Sequence, residues 1–390
     1  MNQGQYVFSQ VMSFASHNDF NSCVNRYNGN YKAREFSCWK QFLCMSLGQL
    51  LHRESLSDTI LCIKLNSDKL YHLGIGKAID KSTLSRANEH RDWQIFRDFA
   101  MLLIKQARQL YGASSQLEVA IKGNVFAIDA TIIDLCLSVY SWAKFRKTKA
   151  AVKLHTQLDL KNSIPCFVQF TTGKIHEVNV LDLMDFEADG FYIMDRGYTD
   201  FERLYRITLA NAFFTIRAKS NLQFTRMYSS VCDKKSGVMC DQIIHLKNYY
   251  PVKDYPKKLR RIKFYDEKTD KTLVFLTNNF ALKATEIAQL YKHRWQIELF
   301  FKWIKQHLKI KSFWGYSANA VKCQIWIAIS AYVLIAIVKK KLNLSQSMYE
   351  ILQILSTNSF DKMPVNCLFQ QTRLQNFKEQ NPNQLNLFDL

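Results

Sequence analysis

The sequence lacks several features that would define a protein class at once. No CxxC pair occurs among its ten cysteines, and no cysteine and histidine cluster has the spacing of a zinc site. Glycine and proline are scarce, at 12 and 5 of 390 residues, which argues for a globular chain and against a disordered one. The first 14 residues have neither a basic region nor a long apolar region, so we predict no signal peptide. We therefore expect reduced thiols and a cytoplasmic protein.

Acidic residues are also few, since 33 Asp and Glu stand against 53 Lys and Arg and leave a net charge of +20. Such an excess of positive charge predicts a polyanionic partner, and nucleic acid is the first expectation. An anionic membrane surface is the alternative, but neither terminus carries a basic amphipathic helix. The most apolar stretch, residues 325–338, has only 14 residues, whereas a membrane span needs about 20. We predict a buried core helix there and no membrane partner.

The periodicity of apolar residues divides the chain into three predicted regions. Residues 1–118 have apolar residues at helical spacing and predict a helical domain. Residues 119–338 alternate apolar strands with helices, which predicts an α/β domain with a mixed sheet flanked by helices. Within this domain, residues 220–272 are polar and rich in tyrosine, and they predict a β-rich insertion. Residues 339–390 predict a helical segment followed by a flexible tail.

The predicted helical domain contains a candidate DNA-binding helix. Gly74 and Gly76 predict a turn, after which Asp80 or Ser82 can cap a short helix. A short polar helix after a turn is typical of a helix-turn-helix, so we predict that Arg86 contacts DNA. Contacts with phosphate alone, or plain packing, are the alternatives. The side chains expected to point outward are Thr83, Ser85, Arg86 and Asn88.

Residues 291–311 predict one amphipathic helix. At about 100° per residue, its apolar side chains fall on one arc and its charged side chains on another. The charged arc carries a single carboxylate, Glu298, among cations, in a row long enough to follow several phosphates. A solvated helix face with support from a Glu298–Lys302 pair is the alternative. The residues of the charged arc are Tyr291, Arg294, Glu298, Lys302, Lys305 and Lys309.

Two more acids stand out because apolar strands surround or precede them. Asp129 lies within the stretch VFAIDATI, and Asp195 ends the stretch FYIMD. Burying a carboxylate is costly unless a partner compensates its charge, and strand ends are where ligands gather in α/β sheets. Together with Glu298, these acids make a set of hard oxygen ligands that suits two Mg²⁺ or Mn²⁺ ions. Salt-bridged structural roles for each acid are the alternatives.

At this point the sequence resembles a known family, the bacterial insertion-sequence transposases of the DDE type. The motifs IDAT at Asp129 and DRGY at Asp195 are similar to the family's first and second acidic motifs. The first 75 residues or so resemble an N-terminal domain that accompanies one branch of the family. The spacing Tyr291-x2-Arg294-x3-Glu298-x6-Lys305 resembles the Tyr-Arg-Glu-Lys signature of this family.

The resemblance implies a ribonuclease-H-like core with the β-rich insertion between the second Asp and the Glu. It implies that Asp129, Asp195 and Glu298 are catalytic and bind the metal. It further implies that Tyr291, Arg294 and Lys305 hold phosphates of the DNA. Since Lys302 and Lys309 share that helix arc, we include them among the predicted DNA-binding residues.

The implied activity is cleavage of insertion-sequence ends by metal-dependent hydrolysis, followed by joining of the 3′-hydroxyl ends to target DNA. The implied partners are double-stranded DNA, both terminal inverted repeats and target, and a second copy of the chain on that DNA. A nuclease or resolvase that cuts without joining is one alternative, and an inactive transposase-derived DNA-binding protein is another. Relatives stack a flipped base on an aromatic side chain of the insertion. The candidates here are Tyr249, Tyr250, Tyr255 and Tyr265.

Overall fold

The computed structural model describes residues 4–112, 121, 123–147, 149–308 and 313–370. The chain forms two compact units. The helical unit combines the residues up to Tyr111 with those from Trp303 onward, and the sheet unit spans Gly112–Lys302. The sequence predicted that the sheet domain would extend to residue 338, whereas Trp303 and the described residues after it group with the helical unit.

Helices dominate the first third of the chain and its last fifth, and strands dominate the middle. The helices are α1 (Val7–Met12), α2 (His17–Arg26), α3 (Cys38–Leu50), α4 (Leu56–Leu65), α5 (Lys81–His90), α6 (Gln94–Tyr111), α7 (Phe201–Leu209), α8 (Tyr249–Asp254), α9 (Ala284–His293), α10 (Trp295–His307), α11 (Ala318–Lys341) and α12 (Met348–Asn358). The strands are β1 (Val125–Leu135), β2 (Lys144–Arg146), β3 (Lys149–Asp159), β4 (Ile164–Thr172), β5 (Phe191–Met194), β6 (Phe213–Arg217), β7 (Phe224–Ser230), β8 (Val238–Leu246), β9 (Leu259–Asp266) and β10 (Lys271–Thr277).

The helical unit is built around α11. This helix packs against α6, α3, α5, α12 and α1, which supply the apolar surface that its side chains need. Within the described ranges it alone is long and apolar enough to cross a membrane, yet 94% of its most apolar window is buried in protein. The predicted core helix at residues 325–338 is therefore confirmed as buried. It is longer than predicted because the residues on both sides of the apolar run continue the helix.

The sheet unit contains a mixed sheet in which β1 is paired on both edges. β3 pairs with β1 in antiparallel fashion, whereas β5 pairs with the other edge of β1 in parallel, and β6 follows β5 in parallel. β2 and β4 both pair with the edge of β3 that faces away from β1. Helices α7 and α9 pack on the sheet through β6. The predicted mixed α/β sheet with flanking helices is confirmed.

The segment predicted as a β-rich insertion extends this sheet. β10 pairs with β6, and β9, β8 and β7 then follow in antiparallel order. The sheet order is β2-β3-β1-β5-β6-β10-β9-β8-β7, with β4 beside β3. The added strands thus share one hydrogen-bonded sheet with β1 and β5.

The predicted continuous helix over residues 291–311 is wrong at Arg294. Helix α9 ends at His293 and α10 begins at Trp295. The amide of Arg294 donates to the Tyr291 carbonyl, and the amide of Ile297 donates to the Arg294 carbonyl. These are three-residue bonds, which tighten the chain locally into a 3₁₀-type turn. The predicted end of the helix, at residues 309–311, lies outside the described residues.

Candidate active site

Asp129 and Asp195 lie on neighbouring parallel strands. The last residue pair of β1 and β5 is Ile128 with Met194, so both acids come directly after the same pair. β1 continues past this point along β3, whereas β5 stops. The parallel register therefore places the two carboxylates side by side where β5 ends, as the apolar sequences before them suggested.

A tight turn holds Asp195 in place. Its Oδ1 accepts a hydrogen bond from the Gly197 amide, at the start of the 3₁₀ turn Arg196–Tyr198. A Cβ atom at Gly197 would lie 2.9 Å from Oδ1 of Asp195 and 3.6 Å from Oε2 of Glu177. The first distance is shorter than two such atoms tolerate, so a larger residue at this position would displace the Asp195 carboxylate.

Arg294 connects Asp129 to Glu298. Its Nη1 donates to Oδ2 of Asp129 at 2.8 Å, and its Nη2 donates to Oε1 of Glu298 at 2.6 Å. Arg294 and Asp129 are 165 positions apart in the chain, whereas Arg294 and Glu298 are four apart. The turn between α9 and α10 thus brings the helix acid to the strand acids through one guanidinium.

The site holds more negative charge than this arginine neutralises. The pKa of Asp129 is raised to about 6, and burial is the largest cause. Arg294 and the Ala130 amide act in the opposite direction, and the carboxylates of Asp195 and Glu177 add smaller increases. A raised carboxyl pKa means that the ionised form lacks compensation in its surroundings. A cation at this position would supply that compensation.

The donor set fits a divalent cation in its chemistry. Carboxylate oxygens from separate elements are the ligands that Mg²⁺ and Mn²⁺ prefer. Over the described ranges, however, no group of three His, Cys, Asp or Glu side chains is already arranged to hold a metal ion. The Arg294 guanidinium is bonded to Asp129 on one side and to Glu298 on the other.

The model of the transposase DDE domain family matches residues 121–334, which is more than half of the chain. The chain belongs to the DDE transposase family. The matched segment contains Asp129, Asp195 and Glu298. A second family, described only as a domain of unknown function, matches residues 3–76.

Three curated relatives carry transposase names. A putative transposase, y4zB, of Sinorhizobium fredii is 34% identical over 248 residues, which cover 63% of this chain and 66% of the relative. A probable transposase for insertion sequence element IS5377 of Geobacillus stearothermophilus is 28% identical, over 68% of this chain and 70% of the relative. A putative transposase for element IS4SA of Synechocystis is 24% identical, over 81% of this chain and 87% of the relative. The match to the first relative thus spans about two thirds of its length.

Among solved structures, a piggyBac transposase synaptic complex with hairpin DNA is similar with a TM-score of 0.45 and 12% identity. The similarity covers 96% of this chain and 84% of that chain.

In this DDE transposase, the residues predicted to bind DNA differ from one another in their exposure and contacts. Tyr291 packs its ring against Phe275, with 4.7 Å between ring centroids, and the guanidinium of Arg294 lies 5.8 Å from the Tyr291 centroid. Along α10, Lys302 is exposed and Lys305 is half-buried. Lys309 lies outside the described residues. Arg86 is exposed on α5 of the helical unit, where it lines a cavity of about 690 Å³.

Two residues of the site did not emerge from the sequence. Glu177 begins a 3₁₀ helix, Glu177–Leu183. Its Oε1 lies 3.3 Å from Nζ of Lys153, whose side chain is only 10% exposed. A lysine in the middle of an apolar strand needs a buried partner, and that signal could have pointed to an acid nearby. The other residue is Tyr198, the last position of the DRGY motif.

Several side chains that the sequence offered for DNA contact are buried. Asn88, expected to point outward, is 2% exposed and accepts a hydrogen bond from Gln41. Tyr255 is fully buried, which leaves Tyr249, Tyr250 and Tyr265 as the exposed aromatic candidates of the insertion. Each of these side chains is polar, but its packing or hydrogen bonding within the protein keeps it away from the surface.

Proposed function

We propose that this DDE transposase binds divalent cations, Mg²⁺ or Mn²⁺ and most simply two ions, through Asp129, Asp195 and Glu298. The observation that supports this assignment is the convergence of the three acids, two as neighbours on parallel strands and the third through Arg294. When bound, the cations would activate a water or a 3′-hydroxyl and stabilise the leaving oxygen. The protein would cleave insertion-sequence ends and join them to target DNA by transesterification.

Arg294 holds the acids together before DNA binds. Its planar guanidinium matches carboxylate and phosphate equally well, so it can exchange one carboxylate partner for a phosphate of the DNA. Tyr291 next to it would contact the same phosphate region. The exposed Lys302, with Lys305 and Lys309 farther along, would follow the backbone and make the affinity salt-dependent.

The remaining assignments concern partners. Arg86 of the helical unit would contact the DNA duplex, and the terminal inverted repeats and target are the expected duplexes. Transposition joins two ends, so we propose a homodimer on DNA, acting at the nucleoid of the bacterial cytoplasm. The order β4-β3-β1-β5-β6, with β1 antiparallel to β3 and parallel to β5, supports a ribonuclease-H-like core with the added strands as its insertion.

Two alternative functions would give different reaction products. A nuclease or resolvase would cut DNA without joining it. A DNA-binding protein without activity would do neither, although the presence of all three acids favours an active site. A strand-transfer assay with Mg²⁺ separates the three, because only the transposase yields joined products.

The assignment of Glu298 can be tested by the substitution Glu298→Gln. The amide keeps the size of the side chain and removes the charge that a cation needs. We expect cleavage of end DNA to fall by at least about a thousandfold, since metal ligands contribute several kcal/mol to the transition state. Binding of the same DNA in a gel shift should change little. Cleavage near the wild-type rate would refute the metal role of Glu298.

A further inference from the structure

Tyr198 has an unusual position for a polar side chain. It ends the turn that begins at Asp195, and its side chain is fully buried in the same apolar core as Ile128 and Met194. Its amide donates to the carbonyl of Asp195, which ties the ring to the acid that the turn positions. The ring therefore lies beneath the end of β5, directly behind the acidic site.

The hydroxyl of Tyr198 has no hydrogen-bond partner among the described protein atoms. A buried hydroxyl without a partner costs free energy, and phenylalanine would fill the same volume without that cost. Packing therefore explains the ring and leaves the hydroxyl unexplained. By contrast, Tyr192 on the adjacent β5 is equally buried, and its hydroxyl accepts a hydrogen bond from the Glu187 amide.

The charges around this hydroxyl are those of the acidic site. Burial raises the pKa of Tyr198 well above its usual value, and the carboxylates of Asp129, Glu177 and Asp195 raise it further, against the opposing effect of Arg294. Toward any of these three carboxylates, a phenol hydroxyl can act only as a hydrogen-bond donor.

We infer that Tyr198 is a positioning residue of the acidic site, whose hydroxyl donates its hydrogen bond to the carboxylate cluster in the cation-loaded protein. The inference rests on the proposed function, since it needs a cation to be held by Asp129 and Asp195. Donors behind metal-binding carboxylates orient those carboxylates, and their loss typically weakens metal binding by 10- to 100-fold. The hydroxyl would then lack a partner only in the cation-free protein.

The test is the substitution Tyr198→Phe, measured without DNA. Mn²⁺ affinity comes from calorimetry or from the electron paramagnetic resonance signal of free Mn²⁺, and thermal unfolding is followed in the cation-free protein. We expect the dissociation constant for Mn²⁺ to rise about tenfold or more. The unfolding temperature of the cation-free variant should equal or exceed that of the wild type, because an unpartnered hydroxyl is removed.

Tyr192→Phe is the matched control. It removes a partnered hydroxyl from the same core, so it should lower the unfolding temperature and leave the Mn²⁺ affinity unchanged. If Tyr198→Phe behaves like this control, the hydroxyl has a structural role and the inference is overturned. A second control, Asp129→Asn, tests the proposed cation site separately from the inferred role of Tyr198. If the wild type binds Mn²⁺ no better than Asp129→Asn does, the proposed function fails and the inference with it. If only Asp129→Asn loses binding, the inference alone fails.

Discussion

The arginine clusters of Arg260 and Arg294 in the sheet unit look alike and differ in their charge balance. Arg260 forms a two-bonded pair with Asp241, with side chains 9% and 14% exposed. Its remaining nitrogen donates to the carbonyls of Asn279 and Leu282. One cation meets one anion, and neutral carbonyls accept two further hydrogen bonds from the guanidinium.

The cluster of Arg294 contains more acid than base. Arg294 bonds Asp129 and Glu298, while Asp195 and Glu177 add further negative charge around Asp129. A balanced buried pair can only hold a fold together, whereas an excess of carboxylate leaves a demand for positive charge. The excess of carboxylate, and not the burial of an ion pair, therefore distinguishes the proposed active site from the Arg260 pair.

The largest expected effect comes from breaking the balanced cluster with Arg260→Met. Asp241 would remain buried without its partner, which costs about 3–5 kcal/mol of stability. Unfolding in urea should show this loss, and Mg²⁺ should not restore it. The double variant Arg260→Met/Asp241→Leu removes both charges and should recover most of the stability. If Mg²⁺ stabilised Arg260→Met more than it stabilises the wild type, the distinction between the clusters would fail.

Arg294→Met should have a smaller effect, and a cation should reverse it. The cluster is more exposed than that of Arg260, with 38% of the Glu298 side chain accessible, so we expect a loss of about 2 kcal/mol without cations. Because Arg294 no longer competes for Asp129 and Glu298, Mg²⁺ should stabilise this variant more than it stabilises the wild type. Thermal unfolding with and without Mg²⁺ measures the difference. Equal stabilisation of both proteins would contradict a shared position for cation and guanidinium.

The two clusters also show what sequence can reveal. Asp129 and Asp195 were predictable, because a carboxylate inside or directly after an apolar strand demands a partner. Glu298 was predicted as the single carboxylate of the charged helix arc and from the resemblance of its spacing to the family signature. The strands around the two Asp residues were also predictable, because β-branched and aromatic runs bounded by glycine favour buried strands.

What the sequence did not reveal depends on contacts between distant residues. The pairing of Arg294 with Asp129 requires the position of α9 over the sheet, and spacing along one helix carries no information about it. The place of α11 in the helical unit likewise follows from contacts such as the hydrogen bond from the Tyr111 hydroxyl to the Ala336 carbonyl. Glu177 lies in a stretch of ordinary composition, and only the register that buries Lys153 gives it a role.

The contribution of Glu177 to Mn²⁺ binding can be measured separately from that of the other acids. If the excess of carboxylate attracts the cation, a fourth acid should contribute even without touching it. Glu177→Gln should therefore weaken Mn²⁺ binding about tenfold, equivalent to about 1.4 kcal/mol. The same change leaves Lys153 without its acidic partner, although the Ile175 carbonyl still accepts a hydrogen bond from it.

The control for this prediction is Lys153→Met, which keeps Glu177 and removes the cation beside it. Both variants break the same ion pair, so a loss of Mn²⁺ affinity caused by structural disturbance would appear in both. An effect of charge has opposite signs, because Lys153→Met makes the site more negative and should tighten Mn²⁺ binding. Weaker binding in both variants would mean that the pair supports the fold near Asp129, as Arg260 and Asp241 do elsewhere in the sheet. Weaker binding in Glu177→Gln alone would place Glu177 with the unbalanced cluster.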